Sequence, residues 1–97
     1  MKRFGLDSFL FEMSKLYEII IFTASQKLYA SRIIDMIDPK NRVSHRLYRE
    51  HCRTVNKTYF LKDIRTLGRN PKDIIIVDDN NIAGLLQPEN FYKIDPF

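Results

Sequence analysis

The run Ile-Ile-Ile-Val-Asp-Asp-Asn-Asn at residues 74–81 constrains this chain more than any other stretch. Consecutive β-branched apolar residues read as a strand buried on both faces, the pattern of a parallel sheet rather than of a half-exposed antiparallel one. Asp78 and Asp79 follow at once. Neighbouring carboxylates repel each other and resist desolvation unless positive charge lies close by. Open α/β sheets bind ligands at the carboxyl ends of their strands, so a hard cation such as Mg²⁺ is the first candidate partner for this pair. The competing explanation is that one Asp caps the following helix while the other is solvated.

Upstream, Leu6, Phe9, Leu10, Met13, Leu16 and Tyr17 recur at helical spacing and predict an amphipathic helix. A short buried strand, residues 18–22, runs into Thr-Ala-Ser. A second helix then places Tyr29, Ala30, Ile33, Ile34 and Ile37 on one face and stops before Pro39. Residues 43–60 alternate polar and aromatic side chains, which predicts short strands or a hairpin turning near Asn56 and Lys57. One or two helical turns closed by Gly68 lead to the 74–78 strand, and residues 91–94 form a last candidate strand. Alternating helices and uninterrupted apolar strands indicate an α/β fold with a mainly parallel sheet.

Composition narrows the function classes. At 97 residues, 44% hydrophobic and 29% charged, the chain is one globular domain at most. No apolar run approaches the roughly 20 residues of a membrane span, so no membrane segment is expected. A net charge of +4 suits an acidic or phosphorylated partner without indicating direct nucleic-acid binding. The single cysteine, Cys52, excludes an internal disulfide framework and fits a reducing, intracellular compartment. A thiolate phosphatase would need an arginine six residues after that cysteine and a glycine between; position 58 is Thr58, and residues 53–57 hold no glycine. Cys52 is therefore expected to be a small buried hydrophobe.

Three further side chains are candidates for chemistry. Thr23 closes the first strand, where its hydroxyl and the start of the next helix could hold a phosphate oxygen; a helix cap by Thr23 or Ser25 explains it equally well. Lys62 stands at another strand end, where an ammonium could neutralise phosphate or carboxylate charge, although most lysines are simply solvated. Arg49 could clamp a phosphate with two hydrogen bonds, or belong with Arg46 and Arg53 to a solvated strand face.

Read in order, Phe-Thr-Ala-Ser at 22–25, Leu-Tyr-Arg-Glu-His-Cys at 47–52, the 59–69 segment and the 74–80 segment resemble the phosphatase domain of the small C-terminal-domain phosphatases and Dullard. That is the NLI-interacting-factor-like branch of the haloacid dehalogenase superfamily. The likeness runs from about Gly5 to Phe97. It implies a haloacid-dehalogenase-like, Rossmann-like parallel sheet flanked by helices, with a small β insertion around residues 43–60. It also implies a Mg²⁺-dependent protein serine/threonine phosphatase that works through an aspartyl phosphate. Thr23 matches the phosphate-binding hydroxyl, and Lys62 the lysine that stabilises the phosphoryl group. Asp78 and Asp79 match the acidic metal motif. Arg49 matches an arginine near the phosphopeptide, and Tyr29 an aromatic of a proline-accepting pocket in which a neighbouring apolar position is Gln26 here.

The family's nucleophile lies in an Asp-x-Asp-x-Thr motif on a strand before the first helix. The only early acid here is Asp7, inside the predicted helix. The expectation is thus an incomplete domain, residues 1–97, with the nucleophile strand absent and no phosphatase activity of its own. The partner expected for the complete domain is a phosphorylated protein, the RNA polymerase II C-terminal tail or another phosphoserine or phosphothreonine protein, in nucleus or cytoplasm rather than mitochondrion. The alternative is a catalytically silent peptide-binding module of the same fold, as in the mitochondrial inner-membrane import receptor.

Overall fold

A computed structural model describes residues 4–95, and the chain divides into two compact units, Met1–Glu50 and His51–Phe97. In the first unit, helix α1 (Leu6–Leu16) follows Gly5, whose φ of 84° suits a residue without a Cβ. Strand β1 (Ile20–Phe22) comes next, then helix α2 (Lys27–Ile37) and strand β2 (His45–Leu47). β1 and β2 pair in parallel, with Ile21 opposite Arg46, so α2 is the crossover of a β-α-β unit.

The core of this unit is small. Ala30 and Ile34 of α2 bury against Tyr48, and Ile21 of β1 packs on the cluster. The buried carboxylate of Asp38 builds the return to β2, accepting the Arg42 and Val43 backbone N–H groups, both at 2.9 Å. Arg46 reaches from β2 to Asp35 of α2 at 2.7 Å.

Strands β3 (Arg53–Val55) and β4 (Tyr59–Leu61) open the second unit as an antiparallel hairpin. Asn56 and Lys57 both have a φ of 55°, the left-handed pair that a tight hairpin turn requires. A 3₁₀ turn, Ile64–Leu67, is capped by Asp63 and closed by Gly68 at a φ of 74°. Strands β5 (Ile76–Asp78) and β6 (Phe91–Lys93) then pair in parallel, joined by two 3₁₀ turns, Asn81–Gly84 and Pro88–Asn90. Gly84 has no room for a side chain, because a Cβ there would run into the Phe91 ring.

The α/β class, the parallel pairing, the hairpin and the last strand agree with the sequence reading. Three expectations do not. Ile75 and Val77 are 63% and 53% exposed while Ile74 and Ile76 are half-buried, so the 74–77 run is covered on one face and not on both. Successive side chains of a strand point to opposite faces, and only the face carrying Ile74 and Ile76 is partly covered. The helices differ likewise: Leu10 is the one buried residue of α1, and Tyr29 and Ile33 of α2 are exposed beside buried Ala30 and Ile34. His45–Leu47 belongs to the parallel pair, which leaves 53–61 as the inserted hairpin. Cys52 is half-buried and carries no disulfide. Among the described residues, no helix is long and apolar enough to cross a membrane.

Candidate active site

The structure gathers the candidate side chains into two groups, one in each unit. In the first, Thr23 leaves β1 with its N–H donating to the Leu47 carbonyl of β2 at 2.9 Å. Its hydroxyl accepts the Ser25 N–H at 3.0 Å. Helix α2 begins after Gln26, which offers no side-chain cap, so neither Thr23 nor Ser25 is the helix cap. Arg49 closes on the same loop: its backbone N–H donates to the Ser25 carbonyl at 3.1 Å and its Nε to the Ala24 carbonyl at 2.6 Å. The Arg49 side chain thereby braces the loop that carries Thr23. Tyr29, in the first turn of α2, is 67% exposed.

In the second unit, Lys62 follows β4 and Asp78 ends β5, and the Lys62 ammonium donates to Asp78 Oδ2. Both side chains are only 12% exposed, so solvent screens the pair little. The other carboxylate oxygen, Oδ1, accepts the Asn80 N–H at 3.0 Å. Burial alone would push the Asp78 carboxyl up; the Lys62 ammonium and the Asn80 N–H outweigh it and hold the group below the usual carboxylate value. Asp79, the next residue, is exposed to solvent.

The backbone around Lys62 is fixed from both sides. Its N–H donates to the Ala83 carbonyl at 3.0 Å, and its carbonyl accepts the Gln87 Nε2 at 2.6 Å. Gln87 Oε1 in turn accepts the Ile64 N–H at 3.3 Å, and this side chain is 6% exposed. Asp78 is anchored similarly, its carbonyl accepting the Ile94 N–H at 3.0 Å. Two strand ends thus present an ammonium and a carboxylate on a rigid backbone, an arrangement able to balance added negative and positive charge.

Sequence reasoning missed Gln87 and Asp63. Nothing local marks Gln87, whose partners lie 23 and 25 residues away. Asp63 did carry a signal, an acid just before a short helical run. Its carboxylate accepts the Arg65 backbone N–H at 3.0 Å and takes the Arg65 guanidinium through both oxygens, at 2.9 and 2.8 Å. The Arg65 side chain is the main reason the Asp63 carboxyl lies below its ordinary value; burial opposes this, and the Arg65 N–H and the Arg53 charge assist. The depressed group stabilises the fold fully above the ordinary carboxylate range and loses that contribution as pH falls through its folded value. Asp63→Asn is accordingly expected to lower stability at neutral pH, by about 1–2 kcal/mol for the weakened cap and ion pair. Urea unfolding at pH 7 and pH 3 checks this: the gap between wild type and variant should shrink at the lower pH.

Comparison with solved structures places this fold. The chain aligns over its whole length with the fission yeast RNA polymerase II CTD phosphatase Fcp1 bound to beryllium fluoride, at a TM-score of 0.81 and 25% identity, covering 26% of that protein. It is thus similar to a haloacid-dehalogenase-type phosphatase. The chain belongs to the NLI interacting factor-like phosphatase family, whose pattern matches residues 1–97. It is 51% identical over 91 residues to CTD small phosphatase-like protein 3 of Caenorhabditis elegans, covering 93% of this chain and 31% of that protein. With CTD small phosphatase-like protein 2 of Dictyostelium discoideum it shares 42% identity over 94 residues, 97% of this chain and 16% of that protein. A third relative, the mitochondrial import inner membrane translocase subunit TIM50 of Candida glabrata, is 36% identical over 97 residues, 99% of this chain and 20% of its own length. The chain therefore spans less than a third of each of these relatives.

Proposed function

We propose that residues 1–97 are part of a Mg²⁺-dependent phosphoprotein phosphatase domain directed at phosphoserine or phosphothreonine. The observation that carries this reading is the Lys62–Asp78 pair, a largely covered ammonium and an ionised carboxylate at adjoining strand ends. Phosphoryl transfer depends mostly on positioning and electrostatic stabilisation, which is what such a pair offers. In this reading Lys62, in the second unit, balances the negative charge of a phosphoryl group. In the first unit, Thr23, on the loop braced by Arg49, is the position the resemblance assigns to a phosphate-binding hydroxyl, and Arg49 and Tyr29 are those it assigns to the flanking peptide.

The donor set suits magnesium. Asp78 and Asp79 are hard oxygen ligands, and the Lys62 ammonium already stands as a cation on one Asp78 oxygen. Among the described residues no three or more His, Cys, Asp or Glu side chains gather around one point. The protein's share is then the two carboxylates, with water and phosphoryl oxygens completing the shell, as magnesium commonly accepts. When bound, the metal would supply charge neutralisation at the phosphoryl oxygens.

The sequence contains no Asp-x-Asp pair, so the attacking aspartate implied by the family resemblance is not among these residues. In this reading the 97 residues hold the receiving side of the site and turn over no phosphopeptide by themselves. Phosphate release from a phosphoserine peptide with Mg²⁺ should equal the buffer blank. Turnover by this chain that disappears in Asp78→Asn would overturn the inactive reading. The substrate we favour is a phosphorylated protein such as the RNA polymerase II tail, because the similar fission yeast Fcp1 is described as an RNA polymerase II CTD phosphatase; the compartment we favour is nucleus or cytoplasm.

The likeness to TIM50 favours a second reading, a silent peptide-binding module of the same fold. It is discriminated by whether peptide binding needs the phosphate. An affinity that is the same for phosphorylated and unphosphorylated peptide, and unchanged in Lys62→Met, would select the silent module.

A further inference from the structure

Ser44 lies in the return from α2 to β2 and is exposed. Its backbone N–H donates to the Ile19 carbonyl at 2.8 Å, which carries the parallel pairing one residue ahead of β2. The loop before it has a set conformation: Asn41 turns at a φ of 55°, and the Asp38 carboxylate fixes the Arg42 and Val43 N–H groups. Ser14, Thr58 and Thr66 donate their hydroxyls to backbone carbonyls two or three residues away. Among the described residues, the Ser44 hydroxyl has no such bond and is presented to solvent.

The surroundings of this hydroxyl are basic. Residues 40–46 read Lys-Asn-Arg-Val-Ser-His-Arg, with three cations and no acid. Ser44 is the one serine or threonine of the chain with an arginine two residues before it and another two residues after it. In extended backbone, side chains two apart share a side, so Arg46 stands beside the Ser44 hydroxyl. Both arginines are engaged by weak, exposed contacts. Arg42 stacks 4.7 Å over the Phe11 ring, and Arg46 pairs with Asp35, a side chain 69% exposed. An acidic cleft can therefore draw both guanidiniums to itself.

We propose that Ser44 is a phosphorylation site for a serine/threonine kinase that reads arginine on both sides of its target. The Ser44 oxygen attacks the γ-phosphorus of MgATP. A new O–P bond forms, the bond to the β,γ-bridging oxygen breaks, ADP leaves, and the hydroxyl proton passes to the catalytic aspartate of the kinase. The added phosphate carries a charge of about −2 at neutral pH, which takes residues 40–46 from about +3 to about +1. This inference is independent of the phosphatase reading.

The test incubates the folded 97-residue chain with MgATP and the catalytic domain of protein kinase C, and follows phosphate incorporation by intact mass and fragmentation. Wild type should take one phosphate, on Ser44, and Ser44→Ala should take none. Arg42→Gln should be phosphorylated at least about tenfold more slowly, the loss expected for one charge-assisted hydrogen bond to the kinase. No incorporation into the folded chain, or a phosphate on another hydroxyl, would overturn the proposal. A rate unchanged in Arg42→Gln would overturn the arginine-reading part of it. Should Arg42→Gln not fold, wild type against Ser44→Ala decides, since that change truncates an exposed side chain and leaves the packing intact.

Discussion

Lys62→Met is expected to lower the unfolding free energy by about 2–4 kcal/mol, a little under the usual loss for breaking a fully buried ion pair. Methionine fills much the same volume, so the loss is electrostatic rather than a cavity effect. It leaves the Asp78 carboxylate, 12% exposed, with the Asn80 N–H and the Asp79 side chain as partners but no opposing charge from Lys62. The Asp78 carboxyl, held low by the ammonium, would then titrate closer to or above its ordinary value, because burial is the largest opposing influence. Urea unfolding at pH 7 measures the loss. A midpoint equal to wild type would mean that the ammonium does not rest on Asp78 in solution.

Gln87→Leu should be comparably damaging, by about 2–4 kcal/mol, for a different reason. The glutamine amide satisfies the Lys62 carbonyl and the Ile64 N–H at once, in a position 6% exposed. Leucine removes both partners, leaving a buried N–H and a partly buried carbonyl, and each unmade bond costs about 1–3 kcal/mol when buried. Since one of those groups belongs to Lys62, the variant should also loosen the ammonium. Faster amide hydrogen exchange at Ile64 than in wild type would register that loosening; unchanged exchange at Ile64 would place the stabilising role of Gln87 elsewhere.

Much of the second unit was legible in the sequence because its signals are local. Gly68 at the end of a short helical run, Asn56-Lys57 between two strands and the paired acids after an apolar run each act within a few residues. What composition could not give is which faces are covered. Ile75 and Val77 read as buried because a β-branched run fits a two-sided sheet; in the structure burial alternates along the run, and these two face outward. Tyr29 and Ile33 fall next to the buried stripe of α2 for the same reason, since helical spacing marks a face and not what packs on it. Gln87 was invisible because its partners are distant in sequence, and buried amides carry no periodicity.

The candidate site was legible as residue types and only partly as geometry. Lys62 and Asp78, 16 residues apart, meet as an ion pair, which strand-end positions suggested but could not fix. Thr23 proved to be a loop-forming hydroxyl rather than a helix cap, and Arg49 a brace on that loop. Sequence spacing cannot separate these alternatives, because a threonine before a helix can cap the helix or the turn ahead of it.

A double-mutant cycle on urea stability, with Lys62→Met, Asp78→Asn and the two together, probes the pairing on which the phosphoryl and cation roles both depend. If the ammonium and carboxylate act as one unit, the double variant is less damaged than the sum of the singles, with a coupling of at least about 1.5 kcal/mol. Single losses that add to within about 0.5 kcal/mol would show two independent surface charges, and with them no preformed site at the ends of β4 and β5.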